Sequence, residues 1–172
     1  MRAPADADRV RRFVRDLARS TTSDATVYLV GGATAVIEGW RATTIDIDIR
    51  LEPEADDLLR RIAELKELLD VNVELASPPD FIPELPGWRD RSTFIVRERN
   101  LDIRHFDLYS QALGKVERGF DQDLEDVAQM LERGLIDRGR ARELFAAIEP
   151  ELYRYPAIDP AAFREQVEQA LG

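Results

Sequence analysis

Val27-Tyr28-Leu29-Val30-Gly31-Gly32 and, with thirteen residues between, Asp46-Ile47-Asp48 decide how this chain is read. The first stretch is an apolar strand ending in two glycines. Ala33 to Gly39 suits a short helix, and Thr44 to Ile49 suits a second strand with two carboxylates two residues apart. Side chains at i and i+2 of a strand share a face. Asp46 and Asp48 therefore project together, and Ile45, Ile47 and Ile49 are expected on the other side. Two like charges held that close repel unless a proton or cation lies between them, and a divalent metal held by oxygen ligands is the usual solution. Glycines before a helix let a backbone pass close to a phosphate, where the helix N-terminus favours negative charge. A turn and a strand with one wet face would explain each piece alone. Their order and spacing together, with nothing basic between the aspartates, point instead to phosphates and magnesium in one site.

Outward from this block, 172 residues suit one domain with a helical extension. The absence of cysteine excludes disulfides, thiolate zinc sites and cysteine nucleophiles. With His105 the single histidine, a His-rich metal site and most Ser-His-Asp schemes are disfavoured. No apolar run approaches membrane-spanning length and the N-terminus has no signal-peptide core, so a cytoplasmic protein with no membrane partner is expected. The net charge of -10 argues against a broad nucleic-acid surface. It leaves room for a local basic groove, since arginines cluster at Arg11-Arg12, Arg89-Arg91 and Arg138-Arg142.

Hydrophobic spacing predicts a first helix over residues 6–19, strands over 26–30 and 45–51, and a long helix running to Asp70 with Pro53 at its opening. Residues 71–75 alternate as a third strand. Residues 77–90 form a long loop anchored by Phe81, Ile82, Leu85 and Trp88. Phe94-Ile95-Val96 and Leu101 to Phe106 read as a hairpin. The remainder reads as helices over 108–118, 123–133, 138–148 and 160–171, with Asp137 and Asp159 as caps. The expected fold is α/β (α+β): a mixed, partly antiparallel sheet flanked by helices, with residues 1–118 as the core and 119–172 as a helical C-terminal part.

The glycine pair, short helix and acid-apolar-acid strand resemble the nucleotidyltransferase superfamily, which includes polymerase beta, the CCA-adding enzymes and kanamycin nucleotidyltransferase. Leu29-Val30-Gly31-Gly32 with Arg41 to Asp48 is similar to the AbiEii and MenT toxin group, and closer to small nucleotidyltransferase-like domains beside it. Asp107-Leu108-Tyr109, Lys115, Arg118 and Asp123 to Val127 extend the likeness, which covers roughly residues 25–133. The resemblance implies Mg²⁺ or Mn²⁺ as cofactor and an NTP as substrate. The acceptor hydroxyl would be an RNA 3′ end, a protein or a small molecule, and in a toxin an antitoxin would be the partner. It gives Gly31 and Gly32 the phosphates and gives Asp46 and Asp48 the metal ions. Glu74 becomes the third carboxylate, metal ligand and base, with Asp102 its rival. Thr34, Arg41, Thr43, Lys115, Asp123 and Asp126 would attend the nucleotide, Lys115 also in catalysis and the two aspartates by orienting Lys115 or a neighbouring arginine. A bulky residue at Gly32 is expected to abolish NTP binding with the fold intact. His105 reads as structural. A degenerate nucleotide-binding or interaction module of the same fold is the alternative.

Overall fold

Apolar at four of its six positions, Ala25–Val30 forms β1, the middle strand of the sheet, in the computed structural model, which describes residues 2–172. β2 (Asp46–Glu52) runs antiparallel to it, with Asp48 across from Val30. β3 (Asn72–Leu75) lies parallel to β2. β4 (Phe94–Glu98) and β5 (Leu101–His105) form the expected hairpin, and β5 joins β1 in parallel. Among the described residues this is one mixed five-stranded sheet of order β3-β2-β1-β5-β4.

β2 alternates as the sequence requires. Ile47, Ile49 and Leu51 are buried, while Asp46, Asp48, Arg50 and Glu52 are half-buried on the opposite face. The apolar side meets α1 (Ala7–Ser20) through Val10, Phe13, Val14 and Leu17, and α3 (Asp56–Leu68) through Leu58, Ile62 and Leu65. These residues recur at three- and four-residue spacing, which gathers them on one helix stripe. Each fully buried side chain of this size contributes about 1.5–3 kcal/mol. Asp6 caps α1 by accepting from the Arg9 N–H. Arg9 also donates to the Leu69 and Asp70 carbonyls, and Arg2 pairs with Glu67 at 2.6 Å, fastening the end of α3. α2 (Gly32–Glu38) connects β1 towards β2.

Two local expectations are corrected in this part. Ile45 is 64% exposed, not on the buried face. Two main-chain bonds tie Thr44 to Ala5, and the strand starts only at Asp46. Pro53 does not open α3: its carbonyl accepts from the Ala55 N–H in a turn, and Ala55 is the cap.

The chain divides into two compact units. The first runs to Ser77 and takes in Ser92–Phe106. The second takes in Pro78–Arg91 and everything from Asp107 onward. The second unit holds α4 (Trp88–Arg91), α5 (Leu108–Arg118), α6 (Asp121–Glu132), α7 (Arg138–Ile148) and α8 (Pro160–Leu171), with 3₁₀ turns at Pro78–Asp80 and Glu149–Arg154. The sequence reading divided the chain at 118/119, whereas the units divide at 106/107, because α5 packs on α6, α7 and α8. Asp107 caps α5 through the Tyr109 and Ser110 N–H groups and accepts from Arg91 Nε and Nη2, at 3.1 and 2.9 Å. That forked pair clips the loop segment to the helices. Asp137 and Asp159 cap α7 and α8 as expected. Trp88, Ile82 and Leu85 are buried anchors, but Phe81 is 50% exposed. Among the described residues no helix is long and apolar enough to cross a membrane.

Candidate nucleotide site

Gly31 ends β1 with φ 59° and ψ -125°, a conformation that side chains with a Cβ rarely adopt. A Cβ there would also stand 3.2 Å from Asp48 Oδ2, so the turn and the second aspartate are in close approach. Gly32 is also required by packing. It is buried, and a Cβ on it would fall 2.0 Å from Thr44 Oγ1 and 3.1 Å from an Arg41 guanidinium nitrogen. Glycine at 32 lets α2 start flat against Thr44. A bulky residue there disturbs the fold itself, so it is no clean probe of phosphate approach. α2 has only seven residues, so the charge of its end adds little and the turn carries the case. Arg41 is half-exposed beside this turn and Thr43 is exposed.

The carboxylates are set by the strands. Asp46 and Asp48 share the half-buried face of β2. In the parallel pairing, Asn72 stands across from Asp46 and Glu74 across from Asp48. Residues paired in this way project to the same face, so Asp46, Asp48, Asn72 and Glu74 form a two-by-two patch. Asn72 donates its amide to Asp46 Oδ1. Glu74 is exposed. Asp102 is elsewhere: it pairs with Thr26, which faces Glu52, four residues beyond Asp48. At ~3.3 Å per residue that is roughly 13 Å along the strand. Asp102 is bound there to Arg97 at 2.7 Å. Among the described residues no three His, Cys, Asp or Glu side chains converge into a ready-made metal cage. The donor set is all oxygen, which suits a hard cation that completes its shell with water and phosphate oxygens.

Thr34, expected at a phosphate, is fully buried. Its hydroxyl is 3.1 Å from the Leu29 carbonyl and 3.1 Å from His105 Nδ1, so it faces inward. His105 Nε2 lies 2.9 Å from Glu38 Oε1. Burial pushes the imidazole below its usual range, and Glu38 pulls it partly back.

The other expected nucleotide residues lie in the helical unit. Lys115, 4% exposed, pairs with Asp126 at 2.8 Å and approaches Asp123 at 3.9 Å. Asp123 takes Arg118 at 2.6 Å, and Asp126 also accepts from Gln122 at 3.3 Å. A buried ammonium needs such partners. Both aspartates are buried and each turns one oxygen to these cations, the orienting arrangement that the resemblance implies. They orient Lys115 and Arg118. α6 starts at Asp121 behind Phe120, two residues before the expected start at Asp123.

Sequence reasoning missed Asn72 and Glu38. The i, i+2 rule that pairs Asp46 with Asp48 would have paired Asn72 with Glu74. No local pattern links Glu38 to His105.

A family model described as "Nucleotidyltransferase of unknown function (DUF6036)" matches residues 9–167. The chain belongs to this family. For a nucleotidyltransferase family the match is informative in its extent, because it spans the α/β unit and the helices alike. No curated protein and no solved structure gives a significant match.

Proposed function

We propose that the chain transfers a nucleotidyl group from an NTP to an acceptor hydroxyl, with Asp46 and Asp48 as the residues that would hold Mg²⁺ or Mn²⁺ and Glu74 as the third carboxylate, drawn in when the metal and phosphates bind. The observation that carries this reading is the register that sets Glu74 across from Asp48 while Asp48 Oδ2 lies against the Gly31 turn. When bound, the metal supplies charge neutralisation for the phosphates and for the pyrophosphate leaving group. Gly31 gives the triphosphate an approach free of side chains. Arg41 beside the turn and the exposed Thr43 offer a guanidinium and a hydroxyl to phosphate oxygens. Glu74 accepts the proton of the attacking hydroxyl. The likeness to AbiEii and MenT toxins favours an RNA 3′ end as acceptor and an antitoxin as partner. The net charge of -10 favours a small RNA footprint.

The test is incubation with each labelled NTP, Mg²⁺ or Mn²⁺, and total RNA or lysate. Label on RNA or protein, lost in Asp48→Asn, supports transfer. A wild-type chain that binds no NTP even with Mn²⁺ overturns it.

A second reading, a nucleotide-binding module without turnover, is favoured by the Asn72 amide on Asp46 Oδ1, which already occupies one oxygen of the acid pair. NTP binding without label transfer to any acceptor would support it.

A further inference from the structure

Behind the glycine turn runs a chain of contacts that the transfer chemistry does not use. Thr34 Oγ1 lies 3.1 Å from the Leu29 carbonyl and 3.1 Å from His105 Nδ1, and His105 Nε2 lies 2.9 Å from Glu38 Oε1. Leu29 and Thr34 bracket Val30-Gly31-Gly32-Ala33, so the Thr34 hydroxyl stands at the base of the turn, between the Leu29 carbonyl and His105. Glu38 is the last residue of α2 and His105 the last of β5. The chain thus ties both ends of α2 to the strand beside β1.

A hydroxyl has one proton to donate. With a neutral imidazole donating from Nε2 to Glu38, Nδ1 is an acceptor and takes the Thr34 proton. The Leu29 carbonyl then keeps the Phe106 N–H, at 2.9 Å. With an imidazolium, Nδ1 donates to Thr34 Oγ1, and the hydroxyl proton turns to the Leu29 carbonyl. In either state His105 decides where the Thr34 hydroxyl points, and Glu38 decides which nitrogen of His105 carries the proton. Thr34 and His105 are buried, so water does not substitute for a missing partner.

We infer that Glu38 and His105 are positioning residues for the nucleotide turn, acting through the Thr34 hydroxyl to hold Leu29 to Gly32 in the shape that admits phosphate. This rests on the reading of Gly31 as the phosphate approach. The turn's dependence on the relay stands without it.

His105 is the single histidine, so its ring nitrogens give one unambiguous set of NMR signals. The full chain and its Thr34→Val, Thr34→Ser and Glu38→Gln variants are compared by imidazole ¹⁵N shifts, amide exchange at Gly31 and Gly32, and calorimetry with Mg²⁺-ATP. A Val127 amide in the helical unit serves as the exchange control. Thr34→Val and Glu38→Gln are expected to move the Nδ1 signal. Both should speed Gly31 and Gly32 exchange about tenfold and weaken ATP about tenfold, the loss of one buried hydrogen bond. Val127 should stay unchanged. Thr34→Ser, which keeps the hydroxyl, should restore all three. Unchanged turn exchange in folded Thr34→Val, or failure of Thr34→Ser to restore it, overturns the inference. If the wild type binds no ATP, the proposed function fails, and the exchange and imidazole results alone decide the relay.

Discussion

Glu74 stands directly across from Asp48 in the parallel β2–β3 pair, on the same face of the sheet. Asp102, the other acid that could have served, is at the far end of that face with Arg97. Glu74→Gln should therefore cut nucleotidyl transfer at least about tenfold, ~1.4 kcal/mol of transition-state stabilisation. Asp102→Asn should leave transfer and melting temperature near wild type. Parallel rate measurements check the assignment, and the reverse pattern would exchange the two roles.

Asp48→Asn removes one of two neighbouring like charges as well as a proposed metal ligand. Transfer should fall by at least about a hundredfold, ~2.7 kcal/mol. Thermal stability measured without metal should hold or rise, because the repulsion between Asp46 and Asp48 is relieved. A drop in both would mean that the pair is structural.

The two glycines should respond differently. Gly32→Ala places a methyl 2.0 Å from Thr44 Oγ1, and such overpacking costs about 1–3 kcal/mol. Gly31→Ala forces φ 59° on an alanine, a strain of about 1–3 kcal/mol, in a place that also borders Asp48. Urea unfolding should show both losses. NTP affinity in the folded protein should fall for Gly31→Ala.

Lys115→Met leaves Asp126 buried opposite an apolar group. Breaking a buried pair in this way costs about 3–5 kcal/mol, read as a lower melting temperature, while Lys115→Met with Asp126→Leu should recover most of it. NTP affinity of folded Lys115→Met separates the two roles. An unchanged value leaves Lys115 serving its helical unit alone, and a large loss supports the phosphate role that the family likeness implies.

Burial lowers the His105 pKa from its usual 6.5, and the Glu38 charge opposes the shift. Below about 6.5 the unfolded chain then binds more protons than the folded one. The stability contribution is present above that pH and is lost as the pH falls through the depressed folded value. Wild type should lose more unfolding free energy than His105→Asn between pH 7.5 and 5.5, values chosen to bracket ~6.5. An equal loss would place the pH sensitivity elsewhere, because His105 is the single histidine.

Elements whose signal is local were legible in the residues. Asp46-Ile47-Asp48 announces a strand with acids on one face because the strand period is two. The helices over Leu108–Arg118, Arg138–Ile148 and Pro160–Leu171 match their spacing, and Asp137 and Asp159 cap the last two. The chain's composition excluded disulfide and thiolate chemistry outright. What joins distant segments was not legible. Asp102 and Glu74 look alike as acids on strands, and only the pairing of β2 with β3 separates them. That glycine at 32 is also needed for packing shows only when Thr44 is set against it. Thr34 looks available until Leu29 and His105 take its hydroxyl. Periodicity and capping act within a few residues, and the sequence carries them by itself. Register, close packing and buried hydrogen bonds depend on which surfaces exclude water together, and only the tertiary structure decided those.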